Sequence, residues 1–166
     1  MDIFEALKTR DSWGGGIFFP PCTYLCVSGI HWTNRGLRPQ KFTDDAVKFF
    51  MALTQANCEK IAIENPIGIM SRLYCKPDQI IQPWQFGHNA SKRTCLWLKN
   101  LPPLKPTQIV PKPICGYYAN QTPSGQNKLG PSSVRAKLRS KTYAGIAEAM
   151  ATQWIKVSPE QGEERK

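Results

Sequence analysis

Two short apolar runs, each closed by prolines and each ending on a chemically capable side chain, constrain what this chain can fold into. The first, Gly16 to Phe19, stops at Pro20-Pro21 and presents Cys22 directly afterwards. The second, Ile61-Ala62-Ile63, runs into Glu64-Asn65-Pro66. Proline has no N–H for a ladder, so each run reads as a strand that ends where its functional residue begins. Between them Thr43 caps a helix with Asp44 and Asp45 in its first turn, and Ala46, Phe49, Phe50 and Leu53 form a buried stripe at helical spacing. Strand, helix and strand make a βαβ unit with Lys60–Glu64 as its second, parallel strand. A thiol and a carboxylic acid then share the carboxyl-terminal edge of an α/β sheet.

The remaining segments are arranged around that unit. Asp2 to Lys8 reads as a helix, and Thr23 to Lys41 as a long loop carrying His31, Trp32 and Arg35, of the kind that closes over a substrate. From Pro66 to Gly87 the prolines at 77 and 83 forbid a long helix. Thr94 to Leu98 reads as a strand, Pro102 to Pro113 as extended chain, and the Asn-, Gln-, Gly- and Ser-rich stretch from Gly116 to Pro131 as a mobile loop. Ser132 or Ser133 can cap a short basic helix. Thr142 can cap a last one with Tyr143, Ile146, Ala147, Met150 and Trp154 on one face. The charged stretch 158–166 reads as a disordered tail.

With 166 residues and 41% hydrophobic content, the chain can bury one real core, so a single domain over 1–157 is expected. No stretch approaches the roughly 20 apolar residues of a membrane span, and the acidic start does not resemble a signal peptide. A cytoplasmic, reducing location follows as the expectation. The six cysteines fit that compartment better than a metal module: only Cys22 and Cys26 are close in sequence, and zinc sites ordinarily use two tight pairs. No metal is expected, and Cys58 and Cys95 read as core residues at strand starts.

Charge is the second strong signal. Between Asp78 and Glu148 there is no carboxylate, while Lys92, Arg93, Lys99, Lys105, Lys112, Lys128, Arg135, Lys137, Arg139 and Lys141 all fall there, in a chain of net charge +10. A field of one sign attracts polyanions and gives salt-dependent affinity for phosphate backbones. Nucleic acid, DNA foremost, is the expected partner, with Lys128, Arg135, Lys137, Arg139 and Lys141 as the contact block. Trp84, Phe86, Trp97, Tyr117 and Tyr118 are available to stack on unpaired bases. The plainer alternative, that Trp84 and Trp97 are core and the lysines solvated, stays open.

The motifs Pro20-Pro21-Cys22, Glu64-Asn65-Pro66 and Ser91-Lys92-Arg93-Thr94-Cys95-Leu96-Trp97-Leu98 together resemble the cytosine-5 DNA methyltransferases. The closing segment, Arg139-Ser140-Lys141-Thr142-Tyr143 with Gly145-Ile146-Ala147-Glu148-Ala149-Met150-Ala151, resembles that of their compact phage and bacterial branch. The resemblance implies a partial Rossmann-like, S-adenosylmethionine-dependent methyltransferase fold lacking its first strands. It implies Cys22 as nucleophile towards carbon 6 of cytosine, Glu64 as the acid on the ring nitrogen and Arg93 as the orienting or charge-neutralising cation. Pro21, Asn65, Pro66 and Lys92 would line the base, and Asp2 and Pro20 would touch the cofactor. A cation beside Cys22 would lower its thiol pKa towards neutrality. The base would have to be flipped out or already unpaired.

The family's glycine-rich turn and ribose-binding acid have no counterpart here, and Gly14-Gly15-Gly16 precedes a strand rather than following one. The resemblance thus implies an N-terminally shortened relative, whose S-adenosylmethionine site a partner chain or self-association would complete. About fifteen residues stand where larger relatives insert a target-recognition domain, so low sequence specificity is expected. Two alternatives belong to other classes: a noncatalytic nucleic-acid-binding remnant, and an unrelated thiol enzyme using Cys22 and His31. Residue by residue, Cys22 as an inert buried thiol, Glu64 as a lysine partner and Arg93 as one more surface cation are the plainer readings. The diproline before Cys22 and the apolar run before Glu64 favour function for those two.

Overall fold

A computed structural model describes residues 2–130, 132 and 134–155. Ser133 as a cap and the tail at 158–166 lie outside the described residues. The chain forms two compact units, one running to Gln82 and including Lys92–Pro103, the other made of Pro83–Ser91 and the chain from Leu104 onwards.

The first unit is a mixed α/β layer. Its elements are α1 (Ile3–Lys8), β1 (Trp13–Phe18), α2 (Val27–Asn34), α3 (Gln40–Thr54), β2 (Cys58–Pro66), α4 (Met70–Leu73), β3 (Gln79–Ile81) and β4 (Thr94–Lys99). The sheet order is β1-β2-β4-β3. β1 and β2 are parallel, with Gly16 opposite Ile61 and Phe18 opposite Ile63. β4 runs antiparallel to both β2 and β3. The expected βαβ unit is therefore present, joined to an antiparallel pair.

One face of this sheet carries the core. Phe18, Ile61, Ile63, Cys95 and Trp97 meet Phe50 and Leu53 of α3. The Phe50 ring stands edge-on to Trp97 at 5.1 Å and 84°, the arrangement that the aromatic quadrupole favours. Phe4 of α1 meets Phe49 edge-on at 5.5 Å. Asn57 ties down the loop before β1 by donating from Nδ2 to the carbonyls of Leu7 and Arg10 at 2.9 and 3.0 Å.

Local corrections follow from packing. Thr43 does not cap α3: the helix starts at Gln40 behind Pro39, and Thr43 is buried within it, sharing a hydrogen bond with Thr33 at 3.2 Å. The earlier start lets Gln40 bond Asp44 and Lys41 pair with Asp45 one turn on. The stretch from Thr23 to Lys41 is not all loop, because α2 occupies its middle. Gly14 to Gly16 lie inside β1. The segment after Pro66 contains α4 and the edge strand β3.

The second unit is largely irregular. It holds a 3-10 turn (Pro83–Gln85), α5 (Arg135–Ser140) and α6 (Ala144–Trp154). Trp84 lies parallel to Tyr118, at 6.3 Å and 4°. The expected loop from Gly116 contains a tight turn in which Gln121 bridges to Asn127. Val134, not a serine, precedes α5, and Tyr143 rather than Thr142 stands at the N-cap of α6, neither making a side-chain cap. Ile146, Ala149, Met150 and Trp154 are buried while Ala147 is exposed, so the α6 stripe is rotated slightly from the one expected. Gly145 has a packing reason: a Cβ there would stand 2.0 Å from the carbonyl oxygen of Phe86. His88 Nε2 accepts the Gly145 N–H at 2.9 Å. Among the described residues no helix is long and apolar enough to cross a membrane.

Candidate active site at the ends of two parallel strands

The parallel register carries β1 and β2 to their carboxyl ends side by side. β1 finishes at Phe18, opposite Ile63, and the next residue of β2 is Glu64. Beyond Pro20-Pro21 the chain turns tightly, with the Cys22 carbonyl accepting from the N–H groups of Leu25 at 3.0 Å and Cys26 at 2.9 Å. This turn is stitched to the segment after Glu64 by backbone bonds: Val27 N–H to Ile67 O at 3.2 Å and Ile69 N–H to Leu25 O at 2.9 Å. Asn65, 1% exposed, adds a side-chain clip by donating from Nδ2 to the Pro20 carbonyl at 3.0 Å. Three contacts thus tie the two sequence motifs together.

The close approach depends on glycine. A Cβ on Gly68 would stand 2.0 Å from Leu25 O, and one on Gly29 would stand 1.7 Å from Thr23 O. Both obstacles are backbone, which cannot rotate aside. Gly68→Ala should therefore destabilise the fold by about 3 kcal/mol, the upper range for overpacking, measured by urea denaturation. An unchanged midpoint would show that the two segments are not held in this contact.

The charges of Glu64 and Lys92 act on Cys22, and that of Lys92 acts on Glu64. The Cys22 thiol is pushed far up in pKa, first by its side-chain hydrogen bond to Cys26, then by burial, by the charge of Cys26 and by the Glu64 carboxylate; Lys92 pulls it back. The expected lowering of this thiol is corrected, because one cation is outweighed by a second thiol, desolvation and a carboxylate. Glu64 is also raised, chiefly by burial, with Lys92 and a hydrogen bond to Thr94 opposing. Both the thiol and the carboxyl group are thus raised above their ordinary values, and the Lys92 charge opposes both shifts.

Lys92 rather than Arg93 is the cation felt by both groups. Arg93 is exposed, and its charge acts on Cys95. Pro66 ends β2 opposite Thr94. Pro21 is exposed and lines an apolar groove of about 250 Å³ with Tyr24, Phe42, Asp45, Ala46 and Phe49. Asn65 has its amide committed to Pro20, so its role here is structural. His31 is exposed on α2, its ring against Trp32 at 5.9 Å. Sequence reasoning missed Cys26, Thr94 and Gly68; the i, i+4 spacing of the two cysteines was the available signal for the first.

The residues named for S-adenosylmethionine are Asp2 and Pro20. Pro20 is buried with its carbonyl taken by Asn65, and Asp2 is exposed ahead of α1 without capping it. Gly14 to Gly16 are held in β1 against β2, so they are not a phosphate-type turn. Among the described residues no three His, Cys, Asp or Glu side chains converge to hold a metal.

In the second unit, Lys128 lies over the Tyr117 ring at 5.9 Å and Arg135 donates from Nη1 to the Leu129 carbonyl. Lys137, Arg139 and Lys141 are exposed. The salt bridges among the described residues are Lys8–Glu5 and Lys41–Asp45, so Lys137 and Lys141 pair with no carboxylate there. Comparison with protein-family models, curated proteins and solved structures gives no match for this chain.

Proposed function

We propose that this chain is a cytosine-5 DNA methyltransferase-like protein on a partial Rossmann-like fold, and that its Cys22–Glu64 pair activates carbon 5 of an unpaired or flipped cytosine. The observation that carries this reading is the convergence of the Cys22 thiol and the Glu64 carboxyl group, whose pKa burial raises, at the carboxyl ends of two parallel strands. Carbon 6 of cytosine is a weak electrophile. Sulfur adds to it readily only if the ring nitrogen is protonated in the same step. Glu64, whose affinity for a proton is raised by burial, suits that task. Lys92, whose charge acts on both groups, favours the thiolate that forms as the Cys22 proton passes to solvent, and offsets the charge that develops. Once sulfur is bonded to carbon 6, electron density moves to carbon 5, which becomes nucleophilic.

S-adenosylmethionine is the methyl donor this reading calls for; Pro20 is buried with its carbonyl bonded to Asn65, and completion of the donor site is assigned to a partner chain or to self-association. The test needs no donor. DNA carrying tritium at carbon 5 of cytosine is incubated with the chain. Addition of Cys22 lets carbon 5 take a solvent proton, loss of the tritium to a base restores the double bond, and the thiolate is expelled. Release of tritium to water supports the reading. A folded chain that binds DNA and releases none refutes it.

A noncatalytic nucleic-acid-binding role is the second reading, favoured by the exposed Lys137 and Lys141. Each Lys→Ala change at these two positions should reduce the slope of log K against log salt by about 1 while weakening all DNA sequences alike. Fluorescence anisotropy at several salt concentrations checks this, and an unchanged slope would remove the block from the interface.

A further inference from the structure

Cys26 lies outside the chemistry just described, yet it is the strongest influence on Cys22. The two residues lie at either end of one tight turn. Their backbones are joined by the Cys26 N–H to Cys22 O bond at 2.9 Å, an i to i+4 turn. A backbone bond from residue i+4 to residue i draws the two Cα atoms to ~6 Å, inside the Cα separation that a disulfide spans. Both residues are half-buried, and Cys26 is anchored by its backbone bridge to Gly68 and by a contact between its Sγ and Ser28 Oγ at 3.4 Å. Cys58 and Cys95 are sealed in the core, at 4% and 0% exposure, so neither competes.

We propose that Cys22 and Cys26 are a redox modification site: a dithiol that closes to an intramolecular disulfide under hydrogen peroxide and removes the Cys22 nucleophile. The chemistry balances in two steps. Sulfur attacks one peroxide oxygen, the O–O bond breaks and water leaves, giving a sulfenic acid. The second thiol then attacks that sulfur, the S–O bond breaks, and a second water carries away the oxygen with the thiol proton. One peroxide is reduced to two waters and two thiols are oxidised to one disulfide. The consequence for activity rests on the proposed role of Cys22, whereas formation of the bond does not.

The test uses the full chain with Cys75→Ser and Cys115→Ser, which removes the exposed thiols. Trypsin releases the peptide Asp11–Arg35, which contains Cys22 and Cys26 and no other cysteine. After peroxide this peptide should lose two hydrogens in mass and regain them with dithiothreitol. Cys26→Ser should block the loss and leave Cys22 as a sulfenic acid captured by dimedone. A folded protein whose peptide stays reduced, or goes to dimedone adduct or sulfinic acid with Cys26 intact, overturns the proposal. Tritium release separates the two ideas. Disulfide formation in a chain that releases no tritium when reduced keeps the dithiol and ends the cytosine reading; release without disulfide does the opposite.

Discussion

Cys22→Ala should reduce tritium release from cytosine in DNA to the uncatalysed background while leaving DNA affinity within about twofold. The asymmetry is physical. The thiol is the only group proposed to form a bond to carbon 6, and no neighbour can replace it: Cys26 is fixed by its bridge to Gly68, and Glu64 is needed as the acid. Affinity for a polyanion comes mainly from phosphate contacts made by lysine and arginine, which this change does not touch. Cys22 is half-buried in a turn held by backbone hydrogen bonds, so removing its sulfur leaves that turn bonded. Release at the parental rate in the alanine variant would sink the assignment of Cys22. Loss of DNA binding together with release would mean that the turn itself had collapsed.

Glu64→Gln should lower the same exchange by about 10²- to 10⁴-fold, the usual contribution of a positioned acid, and at neutral pH should not destabilise the fold. Glutamine has the shape of the protonated acid and can donate a hydrogen bond, but it cannot deliver a proton. The stability half follows from linkage. Burial raises the Glu64 pKa above its unfolded value, so the folded state holds this proton more tightly. Below the unfolded pKa, about 4.3, both states are protonated and nothing is lost. As pH rises towards the folded pKa the unfolded state ionises first, and stability falls over that window. Glutamine removes this loss. Urea denaturation across that range should show a flatter pH profile for the variant than for the parent, and parallel profiles would mean that Glu64 is solvated. A variant that exchanges at the parental rate would show that another group protonates the ring.

Much of the first unit was legible because its signals are local. The breaks at Pro20-Pro21 and Pro66 mark where β1 and β2 end, and the stripe of Phe49, Phe50 and Leu53 marks the face of α3. α2 was not legible. Its sequence, with Val27, Gly29 and Thr33, carries no apolar stripe, and Gly29 is required by the approach of the Thr23 carbonyl, which no pattern in the helix announces. Three-residue β3 is too short for a periodic signal and exists because β4 offers it an edge. At the site, the two motif residues were readable from the runs that precede them, while Cys26, Thr94 and Gly68 act only through residues distant in sequence or folded back by a turn.

The sequence by itself determined the parallel pair, the helix between its strands and the cysteine and glutamate at its end, since strand breaks and helical spacing are properties of contiguous chain. Only the tertiary structure decided which cation serves the site and how the thiol titrates. Lys92 and Arg93 are neighbours just ahead of β4, yet Lys92 is half-buried and acts on Cys22 and Glu64 while Arg93 is exposed and acts on Cys95, a difference that their adjacent places in the sequence do not announce. The same holds for Cys22. A thiol preceded by two prolines reads alike whether a cation or a second thiol lies against it, and the turn that places Cys26 there reverses the direction of the shift.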